Sequence, residues 1–430
     1  MSSIASATPS PRATSTPPST TRSASPRTSE DGRRRDDPFA ALIARQRDGH
    51  SLSQEFYGDP ALFARDLDRL LLRHWLCAGH ESSLARPGDY MLMDVAAESV
   101  IILRGEDGAL RAFANVCRHR GSRLCSAESG HGKDLVCPYH GWTYGLDGSL
   151  RSARHMPPGF DAAAHALKQV HISVIEGLVF ISFAAEPLGL SHVHATLRSC
   201  YGPYGWAQAR VAHRERYAIA ANWKLAVENY LECYHCAPSH PEYSRLHALE
   251  QPAPRIEALN RRMRERSLAL GIDIPEHNHW VGSETGEEAV YGFRYALYDG
   301  VATGSADGAL VAPLMGRFAA ADGGATSVHL GPASFLLAYP DHGVIYRFIA
   351  ETAARCALEV IWLVRGDARE GVDYDRERLT WLWRVTSEAD KRIIEQNQLG
   401  VASRYYEPGP YAPMEHNTRR YVAWYLREIS

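Results

Sequence analysis

Two short pairs of side chains constrain this chain more than anything else in it. Cys117-Arg118-His119 is followed, after seventeen intervening residues, by Cys137-Pro138-Tyr139-His140. The pattern C-x-H-x17-C-x2-H offers two thiolates and two imidazoles. Each pair closes a run that reads as a strand, so two tight loops can face each other with four ligands between them. Tetrahedral zinc or a two-iron, two-sulfur cluster suits this donor set. In the cluster, the cysteines hold one iron and the histidines the other, and neutral imidazole in place of thiolate raises the reduction potential. Zinc ribbons more often pair C-x2-C with C-x2-C. Here both pairs are mixed, and the second runs on into Gly141-Trp142.

The rest of the chain is patterned around those loops. Residues 1–37 are dominated by Ser, Thr, Pro, Ala and Arg, cannot bury enough surface to offset the entropy of ordering, and read as a disordered tail. No apolar h-region marks a secretory signal. Residues 60–75 carry Leu62, Phe63, Leu67, Leu70 and Leu71 at helical spacing. Short apolar runs at 91–95, 100–103, 110–116, 170–175 and 178–183, with turns such as Glu106-Asp107-Gly108, predict a small all-β unit over about 75–185. Further on, a helix is expected over 222–236, strands over 327–330, 333–339, 344–350 and 358–364, and a long helix over 374–398. That is an α+β second domain. With 47 Lys and Arg against 50 Asp and Glu, the chain lacks the basic excess of a nucleic-acid binder. No apolar run reaches the ~18–20 residues that span a bilayer, and the eight cysteines are too sparse for a disulfide scaffold. A cytoplasmic protein with reduced thiols is expected, Cys125, Cys233 and Cys236 among them.

A second ligand pattern lies in the mixed region. His235 and His240 are five residues apart. On an unbroken helix they would stand ~140° apart around the axis, but Pro238 must end or bend a helix between them. Two histidines from one helix end are the first half of a 2-His-1-carboxylate site for non-haem Fe(II). The third ligand must be a distant carboxylate. Asp390, Glu388 and Glu395, on the long C-terminal helix, are the candidates; Glu388 points ~160° away from Asp390. His192-Val193-His194 and His277-Asn278-His279 also look ligand-like, but lack a matching partner and read as loop residues.

Taken together, Cys-Pro-Tyr-His-Gly-Trp, the two mixed pairs and the His235/His240/Asp390 set resemble the α subunits of Rieske non-haem iron oxygenases, over about residues 55–430. The resemblance implies an α+β fold of two parts: a small all-β Rieske domain with an N-terminal helix (38–190) and a helix-grip catalytic domain of antiparallel sheet and helices (191–430). It implies that Cys117, His119, Cys137 and His140 hold a [2Fe–2S] cluster, and that His235, His240 and Asp390 hold a mononuclear Fe(II). Glu232 matches the acid that bridges the two sites. A residue three before His235 shares its face, and could accept a hydrogen bond from that ring. The resemblance further implies a homotrimer, in which His140 of one chain meets Glu232 of the next. Finer likeness along the C-terminus, from Asp390-Lys391 through Tyr406-Glu407-Pro408-Gly409-Pro410-Tyr411 to Trp424-Tyr425, points to the branch that oxidises betaines, carnitine and choline. The implied reaction uses O2 and a small quaternary-amine substrate, and an aromatic cage would hold the ammonium by cation–π attraction.

The chain has neither a G-x-G-x-x-G fingerprint on a βαβ unit nor a C-x4-C-x2-C run. A separate NAD(P)H-dependent reductase carrying flavin and iron–sulfur groups is therefore expected. Competing readings are an aromatic-ring dioxygenase or monooxygenase with the same metals, a non-enzymatic Rieske electron carrier, and a zinc-stabilised ligand-binding protein.

Overall fold

The structure, a computed structural model, describes residues 37–248, 252–280 and 285–430. The expected tail lies outside the described residues apart from Asp37. Contacts divide the chain into two units, Met1–Ala44 and Arg45–Ser430. The described part of the first holds one short helix, α1 (Ala40–Ala44).

The second unit opens with α2 (Glu55–Gly58) and α3 (Pro60–Asp66). Pro60 starts α3 where its missing N–H costs nothing, and the Asp59 side chain caps it by accepting from the Ala61 amide at 2.7 Å. The helix predicted over 60–75 is shorter than expected, because α3 widens into a π-helical turn, Leu67–Leu71, and Leu76 already belongs to a strand.

A seven-stranded antiparallel sheet follows, in the order β1-β10-β9-β4-β3-β2-β5. Its strands are β1 (Leu76–His80), β2 (Asp89–Val95), β3 (Glu98–Arg104), β4 (Leu110–Ala114), β5 (Ser129–His131), β9 (Gln169–Ile175) and β10 (Leu178–Ser182). The expected runs match these within a few residues. Asp107 fastens the β3–β4 turn through both guanidinium nitrogens of Arg111, at 2.7 and 2.8 Å. Glu176 and Gly177, both at positive φ, make the two-residue β9–β10 hairpin. A small sheet of β6 (Leu135–Val136), β7 (Thr143–Tyr144) and β8 (Leu150–Ser152) stands beside it and carries the second Cys/His loop.

The larger sheet is also antiparallel, in the order β11-β17-β16-β15-β14-β13-β12. It comprises β11 (Arg210–Ile219), β12 (His277–His279), β13 (Val290–Ala296), β14 (Gly324–Leu330), β15 (Ser334–Ala338), β16 (Gly343–Thr352) and β17 (Arg355–Val364). The helices around it are α4 (Ser191–Tyr201), α5 (Trp223–Tyr230), α6 (Cys236–Ser239), α7 (Pro241–Ser244), α8 (Ala253–Ala269), α9 (Arg376–Val401) and α10 (His416–Glu428). Its core packs Trp206, Tyr201 and Leu197 against Val328, Leu336, Ile345 and Ile361. The histidines expected in loops lie in regular elements instead: His192 and His194 in α4, His277 and His279 in β12. His192 and His279 stack at 4.3 Å. Among the described residues, no helix is long and apolar enough to cross a membrane.

One helix organises the catalytic half. Asp375 caps α9 by accepting from the Arg378 amide at 2.9 Å. Farther along, Glu395 accepts from the Ala220 amide at 3.0 Å and Gln398 from the Asn222 amide at 2.8 Å. Asn222 in turn caps α5 through the Lys224 amide. The start of α5 is thus pinned to α9.

Candidate active site

The two Cys/His loops are built alike. In each, the cysteine carbonyl accepts from an amide four residues on (Gly121 and Gly141, both at 3.0 Å), and the cysteine amide donates to the carbonyl five residues on (Ser122 and Trp142, both at 2.8 Å). The fourth position after each cysteine is at positive φ, +76° and +70°, which is why glycine stands there. Cys117 and Cys137 are buried and unbonded, while His119 and His140 are exposed, their rings 4.6 Å apart. His119 stacks on buried Trp142 at 4.8 Å. The Tyr144 hydroxyl lies 3.4 Å from the Cys117 sulfur and accepts from the Arg118 amide. Two buried sulfurs and two outward imidazoles on matched loops fit a cluster with one cysteine-held iron inside and one histidine-held iron outside.

The second site forms where α5 stops. The helix predicted over 222–236 ends at Tyr230, because the Glu232 carboxylate turns back to accept from the amides of Tyr234 and His235 and starts a new turn. That turn, α6, contains Pro238, and His235 and His240 bracket it as its two caps. Both rings meet Asp390 of α9: His240 Nε2 lies 2.8 Å and His235 Nε2 3.3 Å from Oδ1. One ligand atom from each of the three lies within 4.8 Å of the others. Glu232 accepts from His235 Nδ1 at 2.6 Å, which orients the ring with Nε2 toward Asp390. Burial pulls the His235 pKa down, but its bonds to Asp390 and Glu232 outweigh this and raise it to about 9. Burial likewise pushes Asp390 up, and the two imidazoles more than offset it. The arrangement favours positive charge at the point where the three groups meet. Two imidazoles and one carboxylate converging there fit non-haem Fe(II).

The competing acids are engaged elsewhere. Glu388 lines a groove with Glu215 and Tyr217, and Glu395 holds the Ala220 amide. Cys233 and Cys236 correct the expectation of free thiols: the turn around Tyr234 and His235 brings their Cα atoms to 4.8 Å, within disulfide range, and the sulfurs are bonded.

A cavity of about 270 Å³ opens beside the triad. Tyr243, Phe293, Tyr295 and Trp383 form much of its wall, with Ser327 and His329 on the sheet side. Composition alone could not place these aromatics. The alternation Tyr291-Gly292-Phe293-Arg294-Tyr295 carries the signal of a strand with one aromatic face, and the sequence reading passed over it.

Two family profiles match the chain: "Rieske [2Fe-2S] domain" over residues 74–171, and "Ring hydroxylating alpha subunit (catalytic domain)" over residues 206–430. The glycine betaine monooxygenase oxygenase subunit of Chromohalobacter salexigens is 36% identical over 409 residues, covering 91% of this chain and 90% of that protein. The chain belongs to the Rieske non-haem iron oxygenases. As an oxygenase subunit of that family it works with a Rieske [2Fe–2S] cluster and a mononuclear iron. The carnitine monooxygenase oxygenase subunit of Escherichia coli K12 is 34% identical over 210 residues, covering 47% of this chain and 55% of that protein. This Rieske oxygenase also shares its fold with the quaternary ammonium Rieske monooxygenase CntA, whose inhibitor-bound crystal structure covers 90% of this chain and 98% of its own at TM-score 0.70 and 22% identity.

Proposed function

We propose that this chain is the oxygenase component of a system that hydroxylates an N-methyl carbon of a betaine or related quaternary amine. The observation that carries this reading is the cavity beside the triad. Its aromatic wall contains no Lys or Arg among the described residues. Aromatic faces attract a desolvated quaternary ammonium by ~2 kcal/mol or more. The names of the relatives point to the same substrate class.

The domain division is 38–190 for the cluster and 191–430 for catalysis. Cys117, His119, Cys137 and His140 hold the cluster. His235, His240 and Asp390 hold the iron, which when bound activates O2 with electrons delivered through the cluster. The chain's own groups do the rest. Glu232 orients His235 and carries the coupling between the sites. Tyr243, Tyr295, Phe293 and Trp383 bind the ammonium and exclude water. One oxygen atom enters an N-methyl C–H bond. The other leaves as water, taking two electrons and two protons, and the hydroxymethyl ammonium then loses formaldehyde and a proton. The electrons come from a separate NAD(P)H-dependent flavin and iron–sulfur reductase. A homotrimer sets the cluster of one subunit beside the Glu232 of its neighbour, in keeping with the exposed rings of His119 and His140.

The test is turnover of glycine betaine, carnitine, choline and stachydrine with a surrogate reductase and NADH. Formaldehyde release and about three irons with two labile sulfides per chain are expected. A ring diol or phenol from an aromatic substrate, without formaldehyde from any amine, would overturn the reading.

A further inference from the structure

The cavity is chemically lopsided, and its second end is the informative one. On β13 and β14, Phe293 pairs with Ser327 and Tyr291 with His329, so His329 lies along the strands away from Tyr295. Tyr295 belongs to the aromatic end, its hydroxyl 3.4 Å from that of Tyr243. The His329 side chain lines the cavity, is only 6% exposed, and its Nδ1 has no hydrogen-bond partner. The ring is held edge-to-face against Phe335 at 4.5 Å. A buried polar atom left unpaired costs roughly 1–3 kcal/mol, and the ring that carries it forms part of the cavity wall.

The surroundings select the sign of that ligand. Burial holds the ring neutral, its pKa lowered to about 3, and the charge of Arg420 adds to this. The Arg420 guanidinium stacks over Tyr291 at 5.0 Å, and Tyr291 lies 6.0 Å from His329. A cation therefore stands one ring behind the imidazole without entering the cavity. The carboxylates of Asp390 and Glu232 line the same cavity.

We infer that His329 is a specificity-determining residue: its ring N–H donates to the carboxylate of a zwitterionic substrate whose ammonium sits among the aromatics. The inference rests on the quaternary-amine reading above and deepens it, because it makes the substrate a betaine rather than a simple amine.

The test compares calorimetric binding and steady-state turnover for glycine betaine, carnitine and tetramethylammonium, which has no carboxylate. His329→Phe keeps the packing against Phe335 and deletes the donor; His329→Gln restores an N–H. The Phe variant is expected to weaken binding of the carboxylated probes, and raise their KM, by about tenfold or more. Its affinity for tetramethylammonium should stay within about twofold, and Gln should recover part of the loss. Equal weakening of all three probes, or of none, overturns the inference while leaving the quaternary-amine reading intact. A wild-type oxygenase that binds none of the three overturns that reading instead.

Discussion

Asp390 sits where two imidazoles meet, and its charge separates iron binding from cluster binding. Asp390→Asn preserves shape but removes the anionic ligand. The variant should keep the visible spectrum of the cluster, lose about one iron per chain and release at least about 100-fold less formaldehyde; loss of the cluster spectrum instead would place Asp390 in the fold rather than the site. Glu228, one turn before Glu232, behaves differently. Burial raises its pKa from 4.5 to about 7, while hydrogen bonds from Tyr57 and Tyr411 and the charge of Lys224 only partly counter this. The folded chain thus holds a proton that the unfolded chain gives up between about pH 4.5 and 7, so stability falls as pH rises through that window. The shift corresponds to roughly 3 kcal/mol. Glu228→Gln should flatten the decline in melting temperature between pH 5 and pH 8; an unchanged slope would show that Glu228 is ionised in the folded chain. The proposed Cys/His and His/His pairs were legible in the sequence because a metal demands fixed residue types at short spacing, whereas Asp390, 150 residues from His240, was singled out by the family resemblance. The Cys233–Cys236 bond was not, because it follows from a turn that Glu232 creates by competing with the helix for backbone amides.

Among the elements, β2–β4, β9, β10, β14–β17 and the long helix α9 were read within a few residues, since alternation and amphipathic spacing are local, whereas β11–β13 were not expected. The end of α5 was misplaced because the Glu232 carboxylate starts a new turn there. The end of α3 is fixed by tertiary partners of Asp66. Fully buried, Asp66 pairs with Lys224 of α5, accepts from Trp223 at 3.2 Å, and accepts from Tyr425 of α10 at 2.6 Å. One carboxylate joins three helices. Removing it strands the Lys224 ammonium in the core, which costs about 3–5 kcal/mol. Asp66→Ala should therefore lower the denaturant midpoint sharply, and the double variant Asp66→Ala/Lys224→Met should recover much of the loss. Equal destabilisation of single and double variants would show that the tyrosine and tryptophan bonds, not the ion pair, dominate. Only the strand face of the aromatic wall left a local signal: Tyr243, Phe293 and Trp383 come from a helix, a strand and another helix, and the fold alone brings them to one cavity.

At the scale of the whole molecule, the proposed electron path crosses between subunits. Co-expression of two inactive chains tests it. One carries Cys117→Ser and the other His240→Ala; each alone should be silent. Mixed trimers contain neighbours in which an intact cluster faces an intact iron site, so formaldehyde production should return to a measurable fraction of wild type. Silence in the mixture would place the transfer within one chain. The role of α9 reaches this scale too. The helix that carries Asp390 also grips the backbone at Ala220 and Asn222, where the segment leading to His235 and His240 begins. Asn222 also donates through its side-chain amide to the Ala353 carbonyl, between β16 and β17, at 2.8 Å. One residue thus references the histidine segment to α9 and to the sheet at once. Ligand spacing and cavity wall share that datum, so a change at Asn222 would shift both together.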